Sequence, residues 1–257
     1  MLVYKEKVSK YIKEWIYGSS LVDKRDSILC VVTGGVDSCV TAALCASTNV
    51  NKKVIIIFMG FKEEEEEALE HWLYQNIQEN RFKIIKPEKV ELNSVDIENI
   101  DTKSSMMLAY VDIYAKAYNS LTVGSVTRSE YDLVKFLQRR VDTVYDVYPI
   151  IDLFRSEVIE LGAFLGLPEI VLNSKSITEE SFGYKYDELE WLVRENENLG
   201  IVSSIKEPSG SKYWALYNVR NKKMVAEVYK MSKMNETKTI PEEKMCKIRK
   251  SMPGLIK

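Results

Sequence analysis

Within six residues the chain places a threonine, two glycines, an aspartate and a serine: T-G-G-V-D-S at 33–38. The stretch follows ILCVV at 28–32, a mostly β-branched run preceded by Asp26 and Ser27 that reads as a buried strand. Val36 to Ser47 then reads as a helix. Strand, glycine turn and helix together make an anion-binding arrangement. Gly34 and Gly35 let the backbone approach a ligand with no Cβ in the way. The helix start offers unpaired N–H groups and the positive end of its dipole. Thr33 and Ser38 add hydroxyl donors, and Asp37 adds a carboxylate able to hold Mg²⁺ against phosphate oxygens. The lysine of G-x-x-x-x-G-K-[ST] is missing, and the pattern is not G-x-G-x-x-G. The competing reading is a turn that needs glycine for shape alone.

These residues need a scaffold. Apolar spacing at Val3, Val8, Ile12, Trp15 and Ile16 predicts an N-terminal helix over 2–17. VIIIFM at 54–59 predicts a second buried strand, and residues 62–78 a helix whose five-Glu run, Glu63 to Glu67, is a solvated face. A strand is expected at 89–92, a helix at 102–118, a strand at 121–123 ending at Gly124, and a helix at 152–165 stopped by Gly166 and Pro168. Shorter helices are expected at 186–194 and 224–234, with a loop or hairpin over 197–222. Alternating strands and helices imply an α/β fold: a doubly wound, mostly parallel sheet with helices on both faces. At 257 residues a single domain, 1–257, is expected, with an extension or insertion around 200–223.

Composition narrows the chemistry. The net charge of −2 supplies no basic field for nucleic acid or anionic lipid. The longest apolar runs fall far short of the roughly 18 residues of a membrane helix, and the N-terminus lacks a signal-type apolar segment. Cys30, Cys39, Cys45 and Cys246 form no C-x-x-C pair. A reduced, cytoplasmic setting follows. His71 lies in the acidic stretch EEEEEALEHWL and reads as a surface residue. A Ser-His-Asp hydrolase would have to use it, and no nucleophile elbow accompanies it.

The 33–38 loop resembles the S-G-G-x-D-S loop of N-type ATP pyrophosphatases, with Thr33 in place of the first serine. Further motifs narrow the resemblance to the NAD synthetase family. GSVTRSE at 124–130 is similar to G-T-x-N-x-x-E. FLQRRVDTVYDVYPIIDLFRSEVIELGAFLGLPEIVL at 136–172 is similar to K-Y-G-D, D-x-x-P, D-L-x-K-T-x-V and L-A-x-x-L-G-x-P in that order. FGYKYDELEWL at 182–192 is similar to L-G-x-x-Y-x-x-I-D-x-x-L, and NETKTIP at 235–241 to E-H-K-R-x-x-P.

The resemblance implies an ATP- and Mg²⁺-dependent ligase that adenylates a carboxylate, nicotinic acid adenine dinucleotide in this family, and then transfers ammonia. It implies that Gly34, Gly35, Asp37 and Ser38 grip the β and γ phosphates and metal, with Thr33, Val36 and Ser125 among the nucleotide-binding residues. Glu130 is the implied second Mg²⁺ ligand. Arg139 and Arg155 stand where the family has phosphate-binding lysines. Asp142 matches the aspartate near the nicotinate and ammonia, and Lys238 a lysine of the segment that closes the site. Asp37, Asp142 and Lys238 are the implied catalytic residues. A homodimer is implied too, with small-molecule substrates and no nucleic acid or membrane partner. Because the loop's strand begins at residue 28, no glutaminase domain is expected ahead of it, so the nitrogen is free ammonia or ammonia from a separate chain.

Plainer roles stand beside these. Arg139 and Arg140 could be solvated helix charges, Glu130 could cap or pair with Arg128, and Asp142 and Asp146 could be turn residues. The sequence also departs from the family on the acceptor side: NIDTKSSMML at 99–108 replaces N-x-x-A-R-x-R-M, Thr127 replaces an asparagine, and GFKEEEEE replaces the L-P segment. A ligase for a different carboxylate is therefore a rival, as is a non-catalytic ATP-binding descendant. A tRNA-thiolating enzyme with the same loop would call for a basic surface and a reactive cysteine, whereas Cys30, Cys39 and Cys45 read as core.

Overall fold

The structure is a computed structural model that describes residues 4–18, 20–48, 51–59, 62–87, 100–134, 144–174, 190 and 240–252. Helix α1 (Lys5–Gly18) and the short α2 (Ser20–Asp23) lead into strand β1 (Ser27–Val32), helix α3 (Val36–Ala46) and strand β2 (Lys53–Phe58). Helix α4 (Glu63–Asn76), strand β3 (Phe82–Ile85), helix α5 (Ile100–Ala117) and strand β4 (Ser120–Val123) follow. A π-helical turn at Ser129–Val134 precedes α6 (Arg155–Phe164), α7 (Glu169–Leu172) and, near the C-terminus, α8 (Ile248–Ser251).

The four described strands form one parallel sheet in the order β3-β2-β1-β4. The chain steps outward from β1 through β2 to β3, then returns to place β4 on the other side of β1. That reversal opens a crevice beyond the carboxyl ends of β1 and β4, where open α/β sheets bind ligands. The register sharpens it. β1 pairs with β2 through Val32↔Phe58, but its ladder with β4 ends at Cys30↔Val123.

Side chains of β1 and β2 alternate between two cores, as a period of two requires. Ile28, Cys30, Val32, Val54, Ile56 and Phe58 face the layer containing α1, α3, α4 and α6. Leu29, Val31, Ile55 and Ile57 face Val111 of α5 together with Tyr145 and Tyr148. Each such aliphatic side chain contributes about 1.5–3 kcal/mol on burial, so this double-sided core holds the sheet rigid beneath the loop. Every residue of α3 is buried. Its small residues let α6 approach closely, and a Cβ on Gly162 would lie 2.8 Å from Val40 Cγ2.

Gly124 ends β4 under the edge of the Tyr148 ring, where an added Cβ would lie 2.6 Å from Cε1 and 2.9 Å from Tyr145 Cδ2. Both rings are buried, so neither can move cheaply. Gly124→Ala is expected to destabilise the protein by about 2–3 kcal/mol, read as a lower denaturant midpoint at unchanged m-value.

Several sequence expectations change. Glu66 is buried, so the five-Glu run is not wholly solvated: residues 66, 69 and 73 share the inward stripe of α4. The third strand is Phe82–Ile85, which the sequence reading passed over. Helix α6 starts at Arg155 rather than 152, because the Phe154 N–H donates to Glu157 Oε2 (2.8 Å) and sets the N-cap there. Asp152 is engaged elsewhere, accepting the Arg249 backbone N–H at 2.6 Å. The Arg249 guanidinium also donates to Glu157, at 2.8 and 2.9 Å, so α8 clasps the start of α6. The expected strand at 89–92, the helix at 224–234 and the loop at 197–222 lie outside the described residues, as does the helix at 186–194 apart from Glu190.

Three smaller expectations agree. His71 is exposed, its ring Nε2 2.7 Å from the Gln75 amide. All four cysteines are buried thiols. No helix among the described residues is long and apolar enough to cross a membrane.

Candidate active site

The loop after β1 sits in the crevice. Gly34 has φ +77°, a left-handed conformation that glycine adopts without strain. The same residue lies against the next connection, where an added Cβ would be 2.3 Å from Lys62 Cβ and 3.0 Å from Lys62 O. Gly35 is the N-cap of α3 in extended geometry and carries no side-chain cap. The first amides of α3 are therefore not occupied by a capping side chain and can serve an anion. Ser38 Oγ braces the turn, donating to Gly35 O (2.9 Å) and accepting the Thr33 N–H (3.2 Å). Val36 contributes backbone, its side chain lying in the core.

Asp37 lies on the first turn of α3, 8% exposed. Its Oδ2 receives Arg155 Nη1 at 2.5 Å, across 118 residues of sequence. Its Oδ1 is buried and has no hydrogen-bond partner. Arg155, 4% exposed at the start of α6, also donates from Nη2 to Ser174 O at 2.6 Å.

Burial pushes the Asp37 carboxyl up to about 7. Arg155 opposes that rise, while Glu130 and Glu190 reinforce it. A short ion pair alone would hold a carboxyl down. Here desolvation and two like charges outweigh it. Three carboxylates, Asp37, Glu130 and Glu190, thus act on one another beside the Arg155 guanidinium.

Glu130 opens the π-helical turn, half-buried, and its Oε2 accepts the Thr127 N–H at 3.1 Å. That is the local capping the sequence offered as its plainer role, and it holds the carboxylate near Asp37 without using both oxygens in that bond. Asp146 is a structural residue: its Oδ2 takes the Thr122 N–H (2.9 Å) and Thr122 Oγ1 (3.0 Å), tying the segment after residue 144 to β4. Ser125 lies half-buried just past β4. Among the sequence-derived site residues, Thr33, Gly34, Gly35, Val36, Asp37, Ser38, Glu130 and Arg155 converge on this crevice. Arg139, Asp142 and Lys238 lie outside the described residues.

Two groups escaped the sequence reading. Glu190 is buried and bonded to Ser129 Oγ and the Ser156 N–H. Its signal was available, since it stands at the acidic position of the Y-x-x-I-D motif. Lys62, packed on Gly34, had no signal, because its segment departs from the family pattern. Beside it, at the end of β2, a cavity of about 220 Å³ is lined by Phe58, Met59, Glu66 and Lys86 among others.

The donor set suits a divalent cation. Among the described residues Asp37 Oδ1 is a buried oxygen with no hydrogen-bond partner, and the Glu130 and Glu190 carboxylates act on the same group. Hard oxygen ligands of this kind suit Mg²⁺, which keeps several waters and needs only one or two carboxylates.

The family relationships agree with this arrangement. A model of the NAD synthase family matches residues 8–239. The NH(3)-dependent NAD(+) synthetase of Finegoldia magna is 24% identical over 211 residues, covering 75% of this chain and 84% of that protein. The fold matches the NMN synthetase of Francisella tularensis with a TM-score of 0.66 at 16% identity, over 92% of this chain and 98% of the other. It matches the NH3-dependent NAD synthetase of Campylobacter jejuni with a TM-score of 0.60 at 18% identity, over 92% and 96%. A sheet with its crevice at the β1–β4 reversal, a glycine cradle at the end of β1 and a family match over most of the length agree: this chain belongs to the NAD synthase family.

Proposed function

We propose that the protein is an ammonia-dependent ligase that converts nicotinic acid adenine dinucleotide to NAD, splitting ATP into AMP and pyrophosphate. The observation that carries the reading is Asp37, a buried carboxylate with one unpartnered oxygen on the first turn of the helix that the glycine cradle opens. The acceptor's carboxylate oxygen attacks the α-phosphorus, and pyrophosphate leaves. Ammonia then attacks the acyl carbon, AMP departs with the acyl–oxygen bond, and a proton is lost to give the amide.

Gly34, Gly35 and the amide of Val36 cradle the leaving phosphates, Thr33 donates its hydroxyl, and Ser38, whose proton goes to Gly35 O, braces the turn. Asp37 and Glu130 hold Mg²⁺, which when bound neutralises charge building on the phosphates. With Asp37 engaged by the metal, Arg155 would be released to pair with a phosphate oxygen. The cavity beyond β2, where Phe58, Met59 and Pro87 supply apolar wall and Glu63, Glu66, Glu67 and Lys86 supply charge, is of a size to take the adenine. This chemistry needs positioning and charge neutralisation more than acid–base groups, so the lone exposed His71 is no handicap. Asp142 and Lys238 complete the acceptor side. The working form is a cytoplasmic homodimer, consistent with four buried thiols.

The test is purified protein with ATP, Mg²⁺ and ammonium or glutamine, offered the dinucleotide acid or the corresponding mononucleotide acid. The mononucleotide arm is included because the Francisella protein of this fold is named an NMN synthetase. AMP, pyrophosphate and NAD forming in equal amounts with ammonium are expected. ADP as product, or no AMP with either acid, sinks the proposal. AMP with the mononucleotide acid alone keeps the ligase and corrects its acceptor.

A further inference from the structure

We infer that Glu190 is a positioning residue for the ligase reaction, fastening the turn that carries Glu130 to the helix start that carries Arg155. The inference rests on the ligase reading above. Glu190 is 4% exposed, and its Oε1 accepts two hydrogen bonds, from Ser129 Oγ (2.9 Å) and from the Ser156 backbone N–H (3.1 Å). Ser129 immediately precedes Glu130, and Ser156 immediately follows Arg155. Ser129 Oγ itself accepts the Arg155 backbone N–H at 3.1 Å. One carboxylate oxygen therefore joins both functional stretches, each bond landing one residue from the group it steadies.

The hydroxyl of Ser129 is fixed by this arrangement. It has one proton, which goes to Glu190, and its lone pair receives the Arg155 amide. The first three backbone amides at the start of α6, those of Phe154, Arg155 and Ser156, are thus taken by Glu157, Ser129 and Glu190. A nearby serine or asparagine would cap a helix as well. A carboxylate supplied from a remote part of the chain does more, because it sets the distance between two elements. Arg155 is held on Asp37 and on Ser174 O, and a guanidinium that is to meet phosphate needs a fixed root. Ordering of that kind is what positioning residues supply, and displacement by about 1 Å can cost roughly 100-fold in rate.

Four variants test this: Glu190→Gln, Glu190→Ala, Ser129→Ala and the double Ser129→Ala/Glu190→Ala. Each is assayed at saturating Mg²⁺, well below its thermal midpoint, for kcat and for KM of ATP. The affinity for Mg²⁺ with a non-cleavable ATP analogue is measured separately. Glu190→Ala and Ser129→Ala are each expected to lose about 10- to 100-fold in kcat/KM for ATP. The double variant is expected to be no worse than the worse single one, because both break the same link. Glu190→Gln keeps an acceptor oxygen and is expected within about threefold of wild type.

A cap that serves folding alone would lower the thermal midpoint of Glu190→Ala while leaving kcat/KM and analogue affinity unchanged, and that result overturns the inference. So does a Glu190→Gln variant as impaired as Glu190→Ala, since charge and not the hydrogen-bonded link would then matter. If the wild type binds the analogue but forms no AMP, the ligase reading fails, and the analogue affinities across the four variants still decide the role of Glu190. A wild type that does not bind the analogue overturns both.

Discussion

Asp37→Asn is expected to cut AMP formation by about 1,000-fold or more, yet to leave the metal-free protein at least as heat-resistant as wild type. Two properties of the site produce this opposition. Asn keeps the shape and one carbonyl oxygen for Arg155, so the guanidinium is not left without an acceptor. It removes a carboxylate whose ionised form is opposed by burial and by Glu130 and Glu190. The metal-free fold gains by that loss. Catalysis fails by it, because a carboxylate able to bind Mg²⁺ is gone.

The same site fixes a pH response. The folded-state carboxyl of Asp37 is raised from 3.8 to about 7, so the folded protein holds this proton more tightly than the unfolded chain does. The unfolded chain therefore binds fewer protons between these values, and stability falls as pH climbs from about 4 to about 7. Metal-free wild type is expected to melt higher at pH 6 than at pH 7.5, by about 2 °C or more. Mg²⁺ added at pH 7.5 raises the midpoint by occupying the same carboxylate. Asp37→Asn should lose most of both responses. Scanning calorimetry with and without EDTA checks this, and an unchanged pH response in the variant would remove Asp37 as its source.

Gly34→Ala carries the second large effect, this time on folding. The new Cβ would lie 2.3 Å from Lys62 Cβ, and the residue holds φ +77°. The clash is with the root of a side chain and with backbone, so no flexible end can swing aside. Clash and backbone conformation together cost about 2–4 kcal/mol. Nucleotide binding should be lost even in the fraction that folds, because relief requires the cradle to open. Gly35→Ala is the control: its φ is −71° and its added Cβ meets only Thr33 Oγ1, at 3.7 Å. It should cost no more than about 1 kcal/mol. Equal midpoints for the two variants in urea would contradict this account of the turn.

What the sequence made legible follows its local physics. β1, the loop and α3 were readable because a β-branched run, a glycine pair and a helix start are local signals at one place. β2 was readable as an unbroken apolar run. β3 was not: FKII is four residues with an exposed Lys83, too short to display a period. The expected start of α6 at 152 falls three residues early: the Asp152 carboxylate accepts the Arg249 backbone N–H, 97 residues away, a contact with no local signal. Asp37 and Glu130 were singled out by motif. The contact of Asp37 with Arg155 was not found, because no sequence pattern says that a lysine-like position will face the loop's own aspartate. Glu190 stands at the acidic position of a family motif, but its contacts carry no local signal: its partners are a serine hydroxyl and a backbone amide, 61 and 34 residues away.

The clasp of α8 on α6 bears on synthesis. Glu157 is wholly buried, and the guanidinium that neutralises it arrives 92 residues later. While a ribosome is still making the final stretch, that carboxylate lacks the Arg249 guanidinium, and seating it in the interior is less favourable. Helix α6 therefore docks late, and with it Arg155. A nascent chain can finish its first two strands and glycine turn early, whereas the clasp on the start of α6 is complete only after Arg249 has emerged.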